Sequence, residues 1–209
     1  MTNRRHLRSG WLAVVLACWT LAGCGSVFTP SQPISYYTLT PQATAAGSVP
    51  GMADRIVAVQ TARLPDYLNQ NGIVTRGENN VVNVAKDIQW AGALDDNITR
   101  VIVSDLAVIL GSSKVVAFPV SPALPLDRVV QVDVSRFEQG PDGIVTLAAQ
   151  WTVFTDGGRS YAATDAGTYT SQPADGSYGA IAAAMSQLLV TLSHDIATTL
   201  VSTSHVPAS

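Results

Sequence analysis

From Arg128 to Phe154 the chain alternates twice between apolar and polar residues, with Gly140-Pro141-Asp142-Gly143 between the two runs. In "RVVQVDVSRFEQ" Val130, Val132 and Val134 share one side, and in "IVTLAAQWTVF" Val145, Leu147, Ala149, Trp151 and Val153 do. Alternation with a period of two marks strands with one buried face, and a Gly/Pro/Asp link between them marks a hairpin. Asp156-Gly157-Gly158 then turns the chain into a third strand, Tyr161 to Tyr169. Such a meander cannot bury its apolar face alone, so the rest of the chain must supply a cover.

Two helical stretches provide it. Leu94, Ile98, Val101, Ile102, Leu106, Ile109 and Leu110 recur at helical spacing, with Asp95 and Asp96 in the first turn and Gly111 just past the end. Ile181, Met185, Leu188, Leu192, Ile196 and Leu200 form the apolar stripe of a longer closing helix. Upstream, "ISYYTL" (34–39) and "RIVAVQ" (55–60) read as strands, and residues 40–53 as a flexible loop with little to bury. Leu64 to Leu68 reads as a short turn, and Ile73–Arg76 with Asn80–Ala85 as a hairpin around Gly77-Glu78. The predicted fold is α+β: a largely antiparallel sheet with two main helices packed on one face. The other face is left to water, a partner or a second copy.

The N-terminus has a different character. Arg4, Arg5, His6 and Arg8 precede an apolar stretch from Trp11 to Ala22, the layout of a secretory signal. That stretch is shorter than the roughly 20 apolar residues of a membrane-spanning helix. It ends in Leu21-Ala22-Gly23-Cys24, which matches the bacterial lipobox: small residues at the cut site and a thiol that takes diacylglycerol. The plainer alternative is an ordinary signal peptide with an incidental cysteine. On the lipobox reading, residues 1–23 are removed and Cys24 is the lipidation site, carrying acyl chains including palmitate. Residues 24–33 are a lipidated tether, 34–203 one domain, and 204–209 a flexible tail. The tether "GSVFTPSQP" reaches on the order of 30 Å when extended. Gly25 and Ser26 put no aspartate after Cys24, which points to the outer membrane, periplasmic face.

Losing the signal takes Cys18 with it, so the domain has no free thiol for a disulfide, a thiolate metal site or a nucleophile. Losing Arg4, Arg5 and Arg8 leaves 9 basic against 15 acidic residues, a net charge of −6 that disfavours nucleic acid. Of the remaining histidines, His205 lies in the tail and His194 beside Asp195 reads as a solvated helical residue. G-x-S-x-G and G-x-x-x-x-G-K-[ST] are both missing. Asp95 and Asp96 point about 100° apart on a helix and suit its N-terminal dipole better than a catalytic dyad. These features argue against an enzyme and call for no metal and no cofactor.

The polar and aromatic residues that remain are Tyr36, Tyr37, Arg63, Tyr67, Arg76 and Trp90, of types enriched at protein interfaces. Trp90 reads rather as a core plug before the first helix. The arginines divide evenly between interface and structure. Arg63, Tyr67 and Arg76 are the partner-binding candidates, because Pro65 stiffens the short irregular "RLPDYL" connection and loops on rigid scaffolds commonly carry recognition.

In order along the chain stand "YYTL" (36–39), "RLPDYL" (63–68), "IVTR" (73–76), "WAGAL" (90–94) with Arg100, "VDVSRFE" (132–138) and "LAAQW" (147–151). By these segments the chain resembles the PqiC/YmbA family, auxiliary lipoproteins of ABC-like and MCE (mammalian cell entry) transport systems. The resemblance implies an outer-membrane lipoprotein that docks an MCE-domain tunnel protein of the inner membrane (PqiB-like) in lipid movement and supports envelope integrity. The alternatives are a scaffolding lipoprotein of another outer-membrane machine and a lipid-carrying lipoprotein. A homo-oligomer stays open.

Overall fold

A computed structural model describes residues 33–44 and 51–203. Cys24, the signal, nearly all of the tether and the tail after residue 203 lie outside the described residues. The strands are β1 (Ser35–Tyr37), β2 (Val57–Val59), β3 (Gly72–Arg76), β4 (Val82–Trp90), β5 (Val115–Ala117), β6 (Arg128–Gln139), β7 (Val145–Thr155) and β8 (Ser160–Ser171). The helices are α1 (Leu94–Leu110) and α2 (Tyr178–Ser202). β6, β7 and β8 form the expected meander, antiparallel and in register over most of their length.

The other edge of β6 is shared. β2 runs parallel to its first residues, Arg63 makes a parallel bridge to Asp133, and β3 meets its far end at Thr75–Gln139. β5 lies parallel outside β2, β4 antiparallel beside β3, and β1 parallel beside β4. The long pairings are antiparallel as expected, while the four parallel pairings and the strand β5 are additions to the sequence reading. A run of three residues such as Val115–Ala117 carries too little periodicity to be read as a strand from sequence. For the same reason "ISYYTL" and "RIVAVQ" shrink to three-residue strands.

Both helices pack on one face of the sheet, α1 over β2 and β5 and α2 over β6, β7 and β8. Gly111 caps α1 at φ 60°, a left-handed conformation that costs glycine least, and its N–H and that of Ser112 close the last turn. By length and apolarity α2 could cross a bilayer, yet its apolar stripe, including Met185, Leu189 and Leu200, is buried in the core. Trp151 is buried there too, its indole N–H donating to Thr199 Oγ1 on α2 at 3.0 Å. Trp90 is buried before α1, as read from the sequence.

The described ends of the segment expected to be a loop with little to bury, 40–44 and 51–53, are anchored. Met52 is buried, and the backbone amides of Gln42 and Ala43 donate to Asp105 Oδ1 of α1, both at 2.9 Å. An anchor made by backbone amides leaves no mark in the side-chain pattern, which is why the sequence reading missed it.

Candidate functional site

A β-bulge at Ser135 decides what β6 shows to each side. Val134 pairs with Ala149 and Arg136 with Ala148, so Ser135 is the extra residue. Before it Val130, Val132 and Val134 face the helices; after it Phe137 does, and the alternation is shifted by one. Arg136 and Glu138 therefore point to the face without helices.

Glu138 is nevertheless fully buried. Its Oε1 accepts from Arg76 Nε at 2.9 Å and Arg136 Nε at 3.1 Å. Its Oε2 accepts from the Tyr67 hydroxyl at 3.0 Å and the Phe137 amide at 3.1 Å. The Arg76 guanidinium also lies 5.4 Å from the centroid of the Tyr67 ring, within cation–π range. Burial, and then the charge of Glu138, push the Tyr67 hydroxyl above its ordinary pKa, so it stays a donor. The Arg76 guanidinium is held more firmly protonated by its bond to Glu138.

These contacts fix the connection between β2 and β3 to the sheet. Arg63 N–H donates to Val132 O and Val134 N–H to Arg63 O, both at 2.9 Å, while Leu68 N–H closes a turn on Pro65 O and its side chain is buried. Gly72 ends the connection because a Cβ there would lie 2.0 Å from Ala85 O, a close backbone approach that only glycine permits.

Of the three residues expected to bind a partner, the structure joins Tyr67 and Arg76 around Glu138, their polar groups engaged within the domain. Arg63 stands apart. Its side chain is 64% exposed, and its guanidinium makes a 3.5 Å pair with Asp133, also partly exposed. The sequence reading missed Glu138 and Arg136 as site residues. The signal was present in "VDVSRFEQ": the apolar spacing changes from two to three between Val134 and Phe137, which is the mark of the bulge.

Beside Asp133, on the same face, lies a groove of about 440 Å³ across β6, β7 and β8. Small side chains form it: Ser135, Ala148, Gln150, Ala166 and Thr168 line it, with Asp133 at one end. His194 is exposed on α2, as expected. Among the described residues no three His, Cys, Asp or Glu side chains gather as a metal site.

The other motif segments are structural joints. Thr38 Oγ1 donates to Asn97 Oδ1 at 2.9 Å, and Arg100 reaches both groups. Thr40 N–H donates to Ser186 Oγ of α2, and Ala62 N–H to Thr99 Oγ1 of α1. Ala91 N–H donates to Tyr37 O at 2.7 Å, so that "YYTL", "WAGAL" and Arg100 lock the N-terminal strand to the helix layer.

A family model described as "ABC-type transport auxiliary lipoprotein component" matches residues 37–197. Over 141 residues the chain is 28% identical to the intermembrane transport lipoprotein PqiC of Escherichia coli K12, covering 68% of this chain and 72% of that one; the Shigella flexneri PqiC gives the same figures. A crystal structure of a Xanthomonas campestris protein superposes with a TM-score of 0.67 at 18% identity, covering 81% of this chain and 96% of that one. That likeness is one of fold.

Proposed function

The chain belongs to the family of ABC-type transport auxiliary lipoprotein components, and from that premise we propose that it is a non-enzymatic docking subunit of an intermembrane lipid transport system. In this reading Cys24 carries the acyl chains, including palmitate, that hold the domain on the periplasmic face of the outer membrane. The domain receives the end of an MCE-domain tunnel protein anchored in the inner membrane, PqiB-like, and so supports envelope integrity.

The observation that carries the reading is the groove beside Arg63. It is built of small side chains on the face that neither helix covers, and it adjoins a connection held rigid by Glu138. A surface fixed in this way can bind without ordering itself first. Arg63 is the contact residue of the three candidates, and Tyr67 and Arg76 hold the connection in its binding shape.

Pull-down of the full-length lipoprotein from crosslinked envelopes tests this. Recovery of an MCE-domain protein is expected, together with its loss in Ala166→Arg, an exposed position at which the new side chain fills the groove. No MCE-domain protein with the parent chain would refute the docking role. Capture that survives Ala166→Arg would move the contact to another surface.

A further inference from the structure

Among the described residues six large apolar side chains stand exposed, and five of them gather on β1, β4 and their neighbours: Ile34, Tyr36, Val81, Val82 and Val84. Tyr36 is 62% and Val81 53% exposed. The sixth, Tyr161, lies on β8, far across the sheet order. Scattered exposed apolar residues are ordinary, but three on the paired strands β1 and β4, with one more just before each strand, form a patch. β1 pairs with β4 only at Ile88, Gln89 and Trp90, so the stretch from Val82 to Asp87, roughly 20 Å of strand, has no described neighbour on that side.

The short chain between Ile34 and Cys24 says what this patch can face. β1 runs parallel to β4, with Ser35 opposite Ile88, so the described domain begins at Ile34 beside the second half of β4. Val81 and Val82 stand at the tip of the β3–β4 hairpin, where β4 begins. Nine residues, 25–33, separate Ile34 from Cys24, at most about 30 Å of chain. With Cys24 acylated, the premise this inference takes from the reading above, the bilayer lies within that distance of Ile34, itself one of the five exposed residues. The charged residues of the tip and of β4 are Glu78, Lys86 and Asp87, of mixed sign, so contact there is apolar rather than electrostatic.

We propose that the stripe formed by Ile34, Tyr36, Val81, Val82 and Val84 rests in the interfacial layer of the membrane. Its occupant is the lipid surface itself. Tyrosine suits that layer, with an apolar ring and a polar hydroxyl. The acyl chains hold the domain at the membrane, and the stripe sets which way it stands.

The test uses the full lipidated chain in vesicles of phosphatidylethanolamine and phosphatidylglycerol at about 3:1, a ratio that offers both neutral and anionic headgroups. Since Cys18 leaves with the signal and Cys24 is a thioether, Val84→Cys supplies the single thiol for an environment-sensitive fluorophore, and Tyr161→Cys is the control. Both positions are exposed, so neither change disturbs the core. The expected result is blue-shifted emission at position 84 and several-fold stronger quenching by spin-labelled lipid than at position 161. Equal quenching at the two sites, with Cys24 shown by mass spectrometry to be acylated, overturns the inference and leaves lipidation intact. A blue shift at 84 without lipid quenching also overturns it and assigns the patch to a protein, another copy included. An unmodified Cys24 removes the premise and the inference together.

Discussion

Glu138 and Asp105 are both carboxylates without exposed surface, and the protein treats them in opposite ways. Glu138, under the uncovered face of the sheet, has two arginines, a tyrosine and a backbone amide on its two oxygens. Asp105, between the helix layer and the N-terminal segment, has two backbone amides on Oδ1 and no hydrogen bond to Oδ2 among the described residues. Its pKa is raised, chiefly by burial, against the lowering effect of the two amides and of the charge of His194. One site surrounds its carboxylate with donors, and the other shifts toward the protonated form. Burial alone therefore does not tell what a carboxylate contributes; its donors do.

Glu138→Ala should break the comparison most severely. It leaves two guanidinium groups and a hydroxyl without their acceptor and should cost about 3–5 kcal/mol in denaturant unfolding, as for other buried ion networks that lose one member. A cost below about 1 kcal/mol, the range of an exposed pair, would mean that water replaces the carboxylate freely. Tyr67→Phe removes one hydrogen bond to that charge and keeps the ring under Arg76, so a loss of about 1.5 kcal/mol is expected in the same measurement.

Asp105→Asn should change stability at neutral pH by no more than about 1–2 kcal/mol, because the amide oxygen still accepts from Gln42 and Ala43. Its signature is pH dependence. With the folded pKa above the unfolded value of about 3.9, the folded state binds more protons between the two, so this residue's contribution falls as pH rises through that window. Unfolding curves from pH 3 to 7 should show the parent losing this contribution and the variant lacking it. Identical slopes in the two proteins would remove the raised pKa from the account.

Arg63→Ala gives the smallest effect on stability and sharpens the contrast from the other side. It breaks an ion pair of the same chemistry as that of Glu138, in water, and should move stability by no more than about 0.5 kcal/mol. On the proposed function it lowers recovery of the MCE-domain partner while thermal melting stays put. A matched fall in melting and recovery would make Arg63 a structural residue.

The meander, both helices and the side that they cover could be read from the sequence because each has a period of 2 or 3.6 carried by several apolar side chains. Arg63, Tyr67 and Arg76 stood out for their residue type, but type does not show whether a polar group points outward. Tyr67 and Arg76 turn toward Glu138 because the bulge at Ser135 re-aims that carboxylate, and a strict alternation through "VSRFE" would have placed it in the core. Asp105 was invisible for another reason: its partners are main-chain amides about 60 residues away.

The shared edge of β6 also has a consequence for the order of events when the chain is delivered N-terminus first. β2, the bridge at Arg63 and β3 find their partners in Arg128–Gln139, a separation of 70 residues at Arg63 and Asp133. Until β6 has followed, the first half of the chain can form its hairpin and a helix but cannot close a sheet. Contacts of such long range make closure slow and concentrate it in one late step.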